Sequence, residues 1–280
     1  MRQLLAGSIS RIDLAVWVAV ILFFCGSSTL FHGNLQLSFI GAAGVIVEML
    51  IIGVCIEIII EALKPKKGIG TITGFITNGP EALCLIVGLA VGDILFAAST
   101  PLGSNFMNPV LLVIAALLCS MSLAVFRCKP FYTGATVLLT IIFSISFFLL
   151  PEAYYPWWAA GVCIITIPLF LIRPTESSSG QPEEILHQAD RWLWPAIIIL
   201  ICTGYFLDSV VGFAAEHSKA PKGVIGFFIL ATLSSWPEFK SCLSLLSRGK
   251  TLSAILNITV SNITNIWLAV IGVATYLALT

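Results

Sequence analysis

The sequence predicts an all-α polytopic membrane protein of about nine transmembrane helices, arranged as inverted-topology repeats, and three observations carry that reading. Of 280 residues, 58% are hydrophobic and only 10% are charged, whereas a soluble domain carries roughly 25% charged residues. Mean hydropathy is +1.03, and apolar runs long enough to span a bilayer recur along the chain. The third observation is an internal match. Thr77-Asn78-Gly79-Pro80-Glu81 with Ser104-Asn105 and Asn108 corresponds to Ser234-Ser235-Trp236-Pro237-Glu238 with Ser261-Asn262 and Asn265, each position offset by 157 residues.

The elements follow from the apolar runs in order. Residues 1–36 form an N-terminal region with an extra span at 14–31. This run follows Arg2 and Arg11 and also has a signal-peptide reading, but no clear small-residue cleavage site follows it. A first repeat, 37–172, holds helices at 37–62, 69–90, 94–125, 131–150 and 156–172. The fourth run is long for one span, and Pro101 and Pro109 predict a kink, a tilt or a break there. The segment 173–191, with Ser177-Ser178-Ser179-Gly180 and Glu183-Glu184, reads as a linker. A second repeat, 192–280, holds helices at 192–214, 222–245 and 252–278.

Charge sets the expected orientation. With nine spans, one side receives Arg2, Arg11, Lys64, Lys66, Lys67, Arg127, Lys129, Arg173, Arg191, Arg248 and Lys250, and the other only Lys219 and Lys222. The positive-inside rule then places the N-terminus and the linker in the cytoplasm and the C-terminus on the opposite side. The helices carrying Glu81 and Glu238 are the third and eighth, so they run in opposite directions and the repeat is inverted. Such pairs enclose a site near the bilayer midplane. Net charge is zero, which gives a nucleic acid no electrostatic footprint. The eight cysteines show no CxxC spacing and read as small hydrophobes.

The repeated motif has a chemical reading. Pro80 and Pro237 lack an amide donor, which frees backbone oxygen near Ile76 and Leu233. Thr77 and Asn78 lie four and three residues before Glu81, as Ser234 and Ser235 do before Glu238. In the following helix of each half, Thr100, Ser104 and Asn108 match Asn257, Ser261 and Asn265. These are hard oxygen ligands of the kind calcium and sodium accept. Serine, threonine and asparagine also simply hold membrane helices together, at about 1 kcal/mol each. A carboxylate near the bilayer centre costs roughly 3 kcal/mol on insertion scales, and its recurrence in the same oxygen-rich context favours a functional role.

These motifs resemble those of the cation/calcium exchanger superfamily, whose two signatures run Gly-Thr-Ser-x-Pro-Glu and Gly-Asn-x-x-Gly-Ser-Asn-x-x-Asn. The similarity covers 37–125 and 192–278. It implies exchange of calcium against sodium, protons or another cation through a central site lined by four signature helices, with Glu81 and Glu238 as the metal ligands. The ion-binding set it implies is completed by Thr77, Asn78, Ser234, Ser235, Thr100, Ser104, Asn257 and Ser261. No resident cofactor is expected; the partners are inorganic cations and the lipid bilayer. The chain departs from the signatures at Thr100, where the family has Asn or Asp, and at Ser99, Leu256 and Val260, where it has glycine. Thr100 predicts low sodium affinity or coupling to protons. Family members carry five core helices per repeat, and counterparts of 131–150 and 156–172 would fall beyond residue 280. The readings are a shortened member that completes itself as a homo-oligomer, one that has lost transport, or an incomplete chain.

The remaining charges have local readings. Glu57, near the cytoplasmic end of its helix, is expected to snorkel to water, and Glu48, which is deeper, is a candidate to line the ion path. Asp208, nearer the outer end of its helix, reads as a pore-mouth or interface residue, and Asp93 as a helix cap. Lys240 reads as an ion-pair or gating residue. Tyr154-Tyr155-Pro156-Trp157-Trp158 reads as an interfacial belt. The expected function is cation antiport, and the alternative is a non-transporting membrane subunit or receptor that keeps the fold. No nucleophile motif or His-rich metal site supports an enzyme.

Overall fold

The computed structural model describes residues 8–64, 66–91, 94–176, 187–220, 232–233 and 235–279, with the backbone alone for 91, 94–100, 187 and 188. The protein is an all-α polytopic membrane protein. Among the described residues, eight helical stretches are long and apolar enough to cross a bilayer. The predicted ninth, 222–245, lies partly outside the described residues; its described part is a helix from Trp236 to Ser247.

The first helix, α1 (Arg11–Leu30), starts at a capping box in which the Ser10 hydroxyl and the Asp13 carboxylate satisfy each other's backbone amides. The second, α2 (Leu35–Leu63), starts at Asn34, whose side chain accepts from the Leu37 amide at 3.0 Å. The predicted single helix 69–90 is broken. α3 (Ile69–Ile76) ends at a turn over Thr77 and Asn78, and α4 (Gly79–Val91) begins directly after it. Pro80 causes the break, because it cannot donate to the Ile76 carbonyl but fits the first turn of a new helix.

The predicted helix 94–125 divides at its end, not at its prolines. α5 (Ile94–Leu118) runs through Pro101 and Pro109, and the short α6 (Ser122–Arg127) follows a turn in which Ser120 has a positive φ. Pro109 is tolerated because the Asn105 carbonyl it leaves free accepts instead from the Asn262 side-chain amide, at 3.4 Å. Next come α7 (Pro130–Leu149), a 3-10 turn at Glu152–Tyr154 and α8 (Tyr155–Leu171). The long α9 (His187–Ser218), α10 (Trp236–Ser247) and α11 (Thr251–Leu279) complete the described chain.

α9 lies along α2, and α11 packs on α3 and α5. The main core joins Phe24 of α1, Ile52, Ile56 and Ile59 of α2, Leu111 of α5, Leu200 and Leu207 of α9, and Trp236 and Leu245 of α10. Gly70 and Gly74 let α3 press against α11 backbone to backbone: a methyl group on Gly70 would lie 2.1 Å from the Ser253 carbonyl oxygen, and one on Gly74 2.7 Å from that of Asn257. This spacing of small residues four apart is a common device for close helix approach in membranes. The expected aromatic belt is divided. Tyr154 and Trp157 are exposed, whereas Tyr155 stacks on Phe147 and Trp158 donates to the Ser146 hydroxyl, so two of its rings belong to packing between α7 and α8.

Candidate functional site

Glu81 and Glu238 each occupy the first turn of a helix, that of Glu81 restarting after the break at Thr77 and Asn78. The unpaired amides of a first turn and the positive end of the helix dipole favour a carboxylate there, which makes it tolerable inside an apolar bundle. Both residues are buried, Glu238 completely. Electrostatic interaction links the two carboxyls directly, and Asp208 of α9 acts on both.

The two motifs meet at one point of α9. A methyl group on Gly204 would lie 2.4 Å from Pro80 and 3.8 Å from Pro237, and one on Gly79 would lie 2.3 Å from Ile201. Segments 157 residues apart in sequence are thus seated on one small-residue face of α9.

Around the carboxyls the structure gathers some of the predicted oxygens. Ser104 donates to Glu81 Oε1 at 3.3 Å. Thr77 lies beside the Glu238 carboxyl. Asn257 donates through its amide to the Ser241 hydroxyl at 2.7 Å, which leaves its Oδ1 without a donor. The buried oxygens without a hydrogen-bond partner include Thr77 Oγ1, Glu81 Oε2, both Glu238 carboxyl oxygens and Asn257 Oδ1. Buried oxygens are rarely left so, and a group of them on facing helices offers a place for water, a proton or a cation. The residues therefore fit a cation as cargo: two carboxylates with neutral oxygens, the ligand chemistry of a hard cation. Among the described residues there is no cluster of three or more His, Cys, Asp or Glu able to hold a metal ion.

Not every predicted ligand has a free oxygen. Asn78 and Ser261 satisfy each other: the Asn78 amide donates to the Ser261 carbonyl at 2.8 Å, and the Ser261 hydroxyl donates to Asn78 Oδ1 at 2.7 Å. They tie α11 to the break between α3 and α4. Ser235 is buried at the start of α10. Ser234 and the side chain of Thr100, like Asp93, lie outside the described residues.

Below the site, four asparagines exchange hydrogen bonds with the symmetry of the repeat. Asn108 donates to Asn262 Oδ1 at 3.0 Å, and Asn265 donates to Asn105 Oδ1 at 3.2 Å. Applying the 157-residue offset turns one bond into the other.

Residues 193–279 match the family model described as sodium/calcium exchanger protein. This match supports assignment to the cation/calcium exchanger superfamily. It covers α10 and α11, which carry the second Pro-Glu motif and its Asn-rich partner helix. No curated protein and no solved structure matches the chain.

The structure corrects one reading of a single charge, that of Glu57, and decides between the two readings of Lys240 in favour of the ion pair. Glu57 does not snorkel freely: it pairs with Arg248 and accepts from Ser244 at 2.9 Å, and Arg248 also reaches Glu61 at 3.6 Å. Lys240 turns away from the carboxyls and forms a buried ion pair with Asp13, 2.6 Å long, while also donating to the Ser8 carbonyl. Glu48 is half-buried on α2.

Sequence reasoning missed Asp13, Ser241 and Glu176. Glu176 accepts from the amides of Gly70 and Thr71 at 3.1 and 3.3 Å and from the Ser253 hydroxyl, so one linker carboxylate caps α3 and holds it to α11. The Gly70-x-x-x-Gly74 spacing was the available signal that these helix ends meet. Ser241 lies three residues past Glu238, and that spacing on a helix was its signal.

Proposed function

We propose that the protein is a cation antiporter that carries calcium by alternating access, in exchange for sodium or protons, with Glu81 and Glu238 as paired central ligands. The observation that carries this reading is the set of buried oxygens without donors on Thr77, Glu81, Glu238 and Asn257. Two carboxylates neutralise one divalent ion, and the hydroxyl and amide oxygens complete its shell in place of water. Empty, the site holds two negative charges inside the bilayer, which opposes its passage through the closed intermediate. Loading with calcium, or with sodium ions or protons, removes that charge. Movement then requires an ion in each direction, which is the condition for exchange.

The reciprocal asparagine bonds, and the Pro-Glu first turns of α4 and α10, support a pair of inverted repeats around this site. In such folds, half-helix ends and unwound turns meet at the midplane and the bundle opens to either side by rocking. Under this reading, the side chains of Asn78 and Ser261 hold the two halves in register and do not travel with the ion.

The test is calcium uptake into proteoliposomes of the purified chain under imposed sodium, potassium or proton gradients. Uptake that reverses when a sodium or proton gradient is reversed is the expected result. Absence of calcium movement under all three gradients would overturn the proposal.

A further inference from the structure

We propose that Asp208 is a positioning residue that draws the cation to the Glu81–Glu238 pair from the C-terminal end of α9, a role that rests on the cation-antiport reading. Three features of α9 lead there. Ile201, Gly204 and Asp208 fall on one face of the helix, three and four residues apart. The first two touch Gly79, Pro80 and Pro237, the residues that launch the two carboxylate-bearing helices. Asp208 lies four residues further on, about 6 Å along the axis, on the same face and exposed at the surface of the bundle, unlike the buried pair.

The geometry gives this carboxylate a direction as well as a position. At the opposite end of the bundle, α3 and α11 are in backbone contact at Gly70 and Gly74 and are held by Glu176. The C-terminal end of α9 reaches the turn between α1 and α2, where Gly33 packs on the His217 and Ser218 backbone. Asp208 stands between that end and the site. Its charge acts on Glu81, on Glu238 and on Cys84, which sits one turn past Glu81 on α4. The second, independent feature is the pair itself: Glu238 has both carboxyl oxygens, and Glu81 has Oε2, buried without a donor. A cation coming from the C-terminal end of α9 thus meets one carboxylate at the bundle surface first and two buried ones after it.

A carboxylate in this position contributes through space, so its effect belongs in the concentration at which cation saturates transport and not in the turnover of a loaded site. A single charge acting on a divalent ion over such a distance shifts apparent affinity about five- to tenfold. Screening by salt should weaken it.

The test is calcium-dependent transport by wild type, Asp208→Asn and Asp208→Glu in proteoliposomes, with calcium titrated from each side and at low and high ionic strength. The expected result is a KM raised about five- to tenfold in Asp208→Asn, with kcat within a factor of about two. The rise should occur for calcium offered on one side only, shrink at high ionic strength, and be restored by Asp208→Glu. Equal KM values for wild type and Asp208→Asn on both sides would overturn the role of Asp208 and leave the antiport reading intact. A loss of kcat without a change in KM would also overturn it, since that marks a structural residue. A wild-type protein that carries no calcium from either side would overturn the underlying reading, and this proposal with it.

Discussion

At the scale of single residues, the site depends on how its neutral oxygens are turned as much as on its carboxylates. Asn257 keeps Oδ1 without a donor because its amide is held by the Ser241 hydroxyl, which itself donates to the Glu238 carbonyl at 2.9 Å. Ser241→Ala removes that hold and leaves the Asn257 amide only the weak Cys242 sulfur at 3.6 Å. A neutral hydrogen bond contributes about 1 kcal/mol, so calcium affinity should fall roughly fivefold while the fold is retained; an unchanged titration would show that Ser241 does not orient Asn257. The carboxylates, Thr77 and Asn257 were legible from residue type and repeat spacing, because a recurring Pro-Glu in an apolar run has few structural uses. The spent state of Asn78 and Ser261 was not, since spacing along one helix does not reveal a partner 183 residues away. Lys240 shows the same limit: its partner Asp13 lies on the first helix, beyond the reach of any local pattern.

At the scale of helices, the break before Gly79 follows from proline, and the sequence marked its place even though it predicted a single continuous span. The end of α5 was harder to read, because Pro109 is a breaker on its own and becomes tolerable only when Asn262 supplies the missing donor. The buried pair between Lys240 and Asp13 joins α1 to the helix that carries Glu238. Breaking one partner of such a pair costs about 3–5 kcal/mol, whereas replacing both by apolar groups is often neutral. Lys240→Met and Asp13→Leu should therefore each lower the melting temperature in detergent, and the double variant should regain most of the loss. Additive losses in the double variant would mean that the two residues do not act as a pair.

At the scale of the whole molecule, two halves contribute equivalent parts to one centre. The second half matches the exchanger family over residues 193–279, and the first supplies Glu81, Thr77 and Ser104 to the same place. The all-α membrane class was legible from composition alone, but the meeting of both motifs on Gly204 was not, because a lone glycine in an apolar helix carries no sequence signal. The basic residues predict an orientation: a tag inserted in 173–191 should be accessible from the cytoplasm, and one attached after Thr280 from the other side. Both tags on the same side would mean an even number of spans between them. The most direct measurement of the central claim is calcium binding to the purified protein and to its Glu81→Gln and Glu238→Gln variants. If both carboxylates serve one site, wild type binds about one calcium ion per chain, the number two carboxylates neutralise. Each single variant, and the double, should then lose it alike; two ions in wild type, with one retained in each single variant, would contradict the shared site.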